Sequence, residues 1–131
     1  MSKVAKGTFE IVMKPAPAAE GAGRVPVGRM FIDKVYSGDM VGEGQGEMLS
    51  AGNPAAGSAA YVAIEHVTAM LDGRSGSFAL QHCGVMHAGE SKLTISVVPG
   101  SGTGELLGLE GSYNIIMTEG QHCYELEYSF G

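Results

Sequence analysis

Residues 61–86 read Tyr-Val-Ala-Ile-Glu-His-Val-Thr-Ala-Met-Leu-Asp-Gly-Arg-Ser-Gly-Ser-Phe-Ala-Leu-Gln-His-Cys-Gly-Val-Met. Two β-type runs flank Asp72-Gly73-Arg74-Ser75-Gly76, a strong hairpin signal. With an even loop centred on Gly73-Arg74, Ala69 faces Phe78, Val67 faces Leu80, Glu65 faces His82 and Ala63 faces Gly84. Period-two alternation puts all of these on one face, with Tyr61 and Met86 at its far end. That row is apolar except for one carboxylate opposite one imidazole. An odd loop would instead set Glu65 against Gln81 and break the row.

The same patterning continues in both directions from the hairpin. Residues 3–14 form a first strand, with Phe9, Ile11 and Met13 alternating against Thr8, Glu10 and Lys14. A Pro/Ala/Gly-rich loop, 15–23, has the composition of a mobile connection. Residues 25–36 form a second strand with Met30, Ile32, Lys34 and Tyr36 on one face. In the third, 40–51, Gly42, Gly44 and Gly46 share a face opposite Glu43, Gln45 and Glu47. A glycine row weakens a strand unless a bulky neighbour or a coiled sheet needs the room. It reads as a barrel wall that clears space for aromatic side chains.

Beyond a loop at 53–57 and the hairpin itself, strand six covers 90–98 and strand seven 105–118. Glu119-Gly120 turns the chain into strand eight, 121–130, which alternates His122, Tyr124, Leu126, Tyr128 and Phe130 against Glu125 and Glu127. No 3.6-residue apolar period persists for three turns, so little or no helix is expected. Eight long strands joined by short turns predict an all-β fold, a single closed antiparallel barrel spanning residues 1–131. Closure removes the edges an open sheet would expose.

The chain has 131 residues, 44% of them hydrophobic, which suits one domain with its own core. Its net charge is −6, with eight Lys and Arg in all and none clustered. That excludes the electrostatic footprint of nucleic-acid binding and the basic patch of an anionic membrane surface. The 21 glycines punctuate apolar runs without a collagen-like or low-complexity period. No apolar stretch approaches the roughly 20 residues of a transmembrane helix. The N-terminal residues carry no signal-peptide h-region, so a cytoplasmic location is expected. Cys83 and Cys123 then read as reduced thiols.

Several stretches together resemble one bacterial family. They are Gly-Arg-Met-Phe-Ile-Asp-Lys (28–34), Gly-Glu-Met-Leu-Ser-Ala (46–51), Tyr-Val-Ala-Ile-Glu (61–65), Leu-Asp-Gly-Arg-Ser-Gly-Ser-Phe-Ala-Leu-Gln-His (71–82) and Val-Val-Pro-Gly-Ser-Gly-Thr-Gly-Glu-Leu (97–106). In that order they are similar to domain of unknown function 3224. The resemblance implies a closed β-barrel like that of plant allene oxide cyclase, and it brings no established activity. Fold likeness alone does not license an isomerase assignment.

Glu65 and His82 are the sharpest candidates for chemistry. Inside a barrel, desolvation opposes either charge while their attraction favours both, so the pair titrates as a unit. Such a pair could move a proton or anchor a ligand's polar group. Equally, it could be a hydrogen-bonded pair that fixes strand register. Lys34 is a candidate partner of Glu65 or Glu47, or else a snorkelling surface lysine. Glu47 faces inward only if a bulge interrupts the glycines. Tyr61 and Tyr124 offer phenols at a barrel mouth, or plain packing. The glycines at 100–104 lack the Lys-Ser/Thr pair and helix of a phosphate loop. The four histidines lack metal-site spacing, so neither metal nor cofactor is expected.

Two functions from different classes follow. One is a barrel binding a small, largely apolar molecule around a Glu/His anchor. The other is an isomerase- or cyclase-like enzyme using Glu65 and His82 for proton transfer. A structural oligomer with a filled core is the plainer third. Leu106, Leu107 and Leu109 on strand seven, with the aromatics of strand eight, predict an apolar outer wall and hence a homo-oligomer.

Overall fold

Eight antiparallel strands each pair with the next in sequence, and the last returns to the first. The computed structural model describes residues 2–16 and 27–131. The strands are β1 (Lys3–Pro15), β2 (Gly28–Gly38), β3 (Met40–Asn53), β4 (Ser58–Leu71), β5 (Arg74–His87), β6 (Glu90–Val97), β7 (Leu109–Thr118) and β8 (Gln121–Phe130). The expected closed barrel of eight strands is therefore what forms. Its only helical pieces among the described residues are single 3-10 turns at Pro54–Ala56 and Gly104–Leu106. The expected loop at 15–23 lies outside the described residues from position 17 onward.

The deciding hairpin closes through two residues, Asp72 (φ 47°) and Gly73 (φ 85°). Consecutive left-handed residues make the tight turn whose twist matches the strands, and Asp-Gly is its preferred sequence. The loop is thus centred one residue earlier than on Gly73-Arg74. Leu71 pairs with Arg74, Val67 with Phe78, Glu65 with Leu80 and Ala63 with His82. Every partner differs by two residues from the expected register, so the inward face is unchanged.

The barrel has a closed end and an open end. Met40, Leu71, Leu106, Leu109 and Tyr128 fill the closed end and are almost fully buried. Tyr124 is tied down there: its hydroxyl accepts from the Met40 N–H (2.9 Å) and contacts the Ser37 and Met40 carbonyls (2.9 and 3.1 Å). At the opposite end the inward positions stay accessible. Five of the eight methionines lie on this inward parity toward that end: Met13, Met30, Met48, Met86 and Met117. A 330 Å³ recess on this side is lined by Met48, Ser50, Ala59, Tyr61, Gly84 and Met86, among others. That volume falls at the small end of known ligand pockets.

Strand seven starts at Leu109, four residues later than the alternation suggests. The segment before it replaces a strand by other means. β6 ends at Val97, opposite Leu80, leaving the lower part of β5 without a strand on that side. Ser101 Oγ, Thr103 Oγ1 and Glu105 Oε1 accept from the backbone N–H groups of Ala79, Ser77 and Ser75 at 3.0, 3.1 and 3.1 Å. Every second residue of the loop thus satisfies every second amide along this part of β5. Leu106 then drops into the core at 0% exposure, and Leu109 follows it. Only Leu107, 75% exposed, faces out, so strand seven does not supply the expected apolar wall. β7 meets β6 over two residue pairs only, Ile95 with Tyr113 and Ser96 with Ser112.

Candidate functional site

Alternation turns Lys34 and Tyr36 of β2, Glu65 of β4, His82 of β5 and Tyr113 of β7 into the barrel, where they meet. Glu65 is fully buried, with Lys34 and His82 at 3% and 4% exposure. Glu65 Oε1 accepts from Lys34 Nζ at 2.9 Å and faces His82 Nε2 at 3.0 Å. Glu65 Oε2 accepts from the Tyr36 hydroxyl at 2.5 Å, and the Tyr113 hydroxyl donates to Tyr36 at 3.2 Å. Three residues from two other strands thus bond one carboxylate, and Tyr113 of β7 joins them through Tyr36.

Glycine makes the space. A β-carbon at Gly44 would overlap the Glu65 carboxylate and come within 3.1 Å of the Tyr36 ring. The glycine face of β3 therefore looks inward, and the room it leaves holds an acid as well as an aromatic ring. At Gly84 the same device receives the Tyr61 ring, which lies across the missing side chain.

Burial alone would push the Glu65 carboxyl up. The His82 hydrogen bond, the Lys34 charge and the Tyr36 hydroxyl outweigh it and hold the group below its ordinary range. Burial, and after it the Glu65 charge, pushes the Tyr36 phenol far above its usual value, and burial raises Tyr113 as well. The network holds an anion against a cation and keeps two phenols protonated. No buried side-chain nitrogen or oxygen among the described residues lacks a partner.

With Lys34 already donating to Oε1, the simplest arrangement has His82 donate its Nε2–H to the carboxylate. In that tautomer the other ring nitrogen, Nδ1, is the acceptor. Lys34 has three N–H donors and one carboxylate acceptor; the Phe9, Tyr113 and Tyr36 rings stand around it at 4.6, 5.3 and 5.8 Å. One acceptor and spare donors therefore sit below the open end. Ala63 and Gly84, next to His82 on β4 and β5, lead up to Tyr61 and the recess.

The candidates from the sequence divide clearly. Glu65, His82 and Lys34 come together, and Lys34 chooses Glu65 over Glu47. Glu47 sits on the outer face in an exposed ion pair with Arg29 at 2.6 Å, because no bulge interrupts the glycines. Tyr61 lines the open end, and Tyr124 clamps the turn at the other. Tyr36 and Tyr113 were not singled out from the sequence. Tyr36 shares the inward parity of Lys34, which was its signal; Tyr113 gave none beyond alternation.

This arrangement sits on a chain whose residues 5–128 match the profile described as "Protein of unknown function (DUF3224)". The chain belongs to the DUF3224 family. A crystal structure of a DUF3224 protein of unknown function from Shewanella oneidensis MR-1 is similar to it, with 46% sequence identity and a TM-score of 0.89. The likeness covers 100% of this chain and 98% of that one. No curated protein matches this DUF3224 chain. The polar network lies wholly within the DUF3224 match.

Proposed function

We propose that this DUF3224 barrel binds a small, largely apolar molecule through its open end, with one polar group of the ligand seated on Lys34 and His82. The observation that carries the reading is the buried Glu65–Lys34–His82–Tyr36 network below an accessible, methionine-rich opening. Methionine is flexible and polarizable and adapts to varied apolar shapes. A carbonyl or hydroxyl suits the floor better than a carboxylate, since Lys34 is already neutralised by Glu65. The free cysteines Cys83 and Cys123 support a reducing, cytoplasmic setting. Among the described residues no helix is long and apolar enough to cross a membrane.

The test is NMR of protein labelled at the methionine methyls, with 1-decanol added. Signals of Met30, Met48 and Met86 should shift. Those of Met40, at the closed end, and Met70, on the outer face, should stay. If no inward methyl moves, the reading fails.

A second reading is an isomerase- or cyclase-like enzyme that uses the same residues. It is favoured by the contact of His82 Nε2 with Glu65 at 3.0 Å, which orients the ring so that Nδ1 is its basic nitrogen. In that case Lys34 would polarise a carbonyl while His82 removes a neighbouring proton.

A further inference from the structure

We propose that Lys34 forms an imine with an apolar aldehyde that enters the open end. This rests on the ligand-binding reading above and specifies the group that reacts. Lys34 carries the one primary amine inside the barrel among the described residues, and only a primary amine there condenses with a carbonyl to a stable C=N bond. It is held nearly out of water at 3% exposure, where a C=N bond is protected from hydrolysis. Its single hydrogen bond, to Glu65 at 2.9 Å, places a carboxylate where an iminium needs its counter-ion. His82 at 3.0 Å and Tyr36 at 2.5 Å share that carboxylate and can relay protons through it. The three aromatic rings around Nζ crowd its approach. An aldehyde, with one carbon substituent, fits that space better than a ketone with two.

The step balances without an added oxidant or reductant. Lys34 passes one ammonium proton to the Glu65–His82 pair, and its freed lone pair attacks the carbonyl carbon. The C=O π electrons move to oxygen, which takes up that proton. A second N–H proton joins the same oxygen as the C–O bond breaks and water leaves. Of the three ammonium protons, two depart in the water and one remains on the C=N nitrogen. The positive charge therefore stays opposite Glu65, and no net proton is exchanged with solvent.

The experiment treats the protein with equimolar decanal, reduces with sodium borohydride, and maps the label by peptide mass spectrometry. The expected gain is the aldehyde mass less one oxygen, on Lys34. It should exceed the label on each exposed lysine, Lys3, Lys6, Lys14 and Lys92, by about tenfold or more, as the effective concentration of a held reactant implies. Lys34→Arg should lose that label. Label confined to the exposed lysines overturns the proposal. If 1-decanol, which cannot condense, moves the inward methionine methyls while decanal leaves Lys34 unlabelled, binding stands and the imine falls. If 1-decanol moves none of them, the binding reading falls and the imine goes with it. Should Lys34→Arg not fold, the wild-type map decides alone.

Discussion

Glu65 and His82 touch along the diagonal of the β4–β5 pair, not directly across it: Leu80 stands opposite Glu65, and Ala63 opposite His82. The diagonal leaves room on the carboxylate for Lys34 and Tyr36 from β2. A face-to-face pair would be a private ion pair. This one is a junction between strands that are distant in sequence.

The first consequence concerns charge. Considered with His82 alone, Glu65→Gln is a mild change, because the amide still accepts a hydrogen bond. With Lys34 bound to the same oxygen it is not mild. A buried ammonium is left without its anion, at roughly 3–5 kcal/mol. Lys34→Met should cost a similar amount, and the double variant Lys34→Met/Glu65→Gln much less than the sum. Urea unfolding of the four proteins measures this, and strict additivity would refute the coupling.

Acid should reveal the same carboxyl. Its value in the folded state lies below the ordinary 4.5, so the unfolded chain takes up a proton more readily. The stabilisation is complete above pH 4.5 and drains away as the pH falls through the folded value. The urea midpoint should drop more steeply below pH 4.5 in the wild type than in Lys34→Met/Glu65→Gln. Parallel curves would contradict the assignment.

Gly44→Ala should destabilise the barrel through its polar centre. Its methyl group would overlap the Glu65 carboxylate at the oxygen that accepts from Tyr36. A loss of about 1–3 kcal/mol is expected from overpacking, with the buried hydrogen bonds lost in addition. Gly73→Ala, in open space at the hairpin tip, meets no side chain and suffers only backbone strain at φ 85°. Thermal melts that rank Gly73→Ala as the worse of the two would count against the packing argument.

All five tyrosines should resist ionisation. Burial raises Tyr36, Tyr61, Tyr113, Tyr124 and Tyr128 above the ordinary 10.0; Tyr128, which donates to Asp72, reaches about 12. Raised phenols stabilise the fold below pH 10 and cease to do so as the pH climbs through their folded values. Ultraviolet titration at pH 10 should find well under half of the phenols ionised in native protein. In denaturant about half should be. Equal fractions would mean that the tyrosines are solvated.

Self-association is expected through a different face from the one the sequence suggested. Leu49, Val62, Ile64 and Val85 stand 44–55% exposed on the outer side of β3, β4 and β5, where Leu49 pairs with Val62. Light scattering should return a multiple of 13.5 kDa, and Val62→Glu/Ile64→Lys should shift it toward the monomer. A wild-type mass of 13.5 kDa at micromolar concentration refutes it.

Parity was legible in the sequence; depth and register were not. Alternation placed Lys34, Glu65 and His82 on inward faces, because side chains repeat every second residue. For the same reason it could not detect a two-residue shift, which preserves every face. The turn chemistry of Asp72-Gly73 was the finer signal, and centring the loop on Gly73-Arg74 missed it. Alternation also ran strand seven back to residue 105, since Ser101, Thr103 and Glu105 imitate a strand's spacing while their side chains do a strand's bonding. That Tyr36 and Tyr113 meet is a matter of curvature. Nothing local says that β2 and β7 face each other across a barrel.

The two-pair junction of β6 and β7 gives this closed ring a place to come apart. A cylinder unrolls at its thinnest weld, and here the weld is Ile95–Tyr113 with Ser96–Ser112. Ile95 pairs on its other side with His82, and Tyr113 donates to Tyr36. The wall is therefore weakest beside its polar centre, as if a hatch had been cut next to the machinery. Local opening of the ring should therefore start at that seam, next to the residues that enclose Glu65.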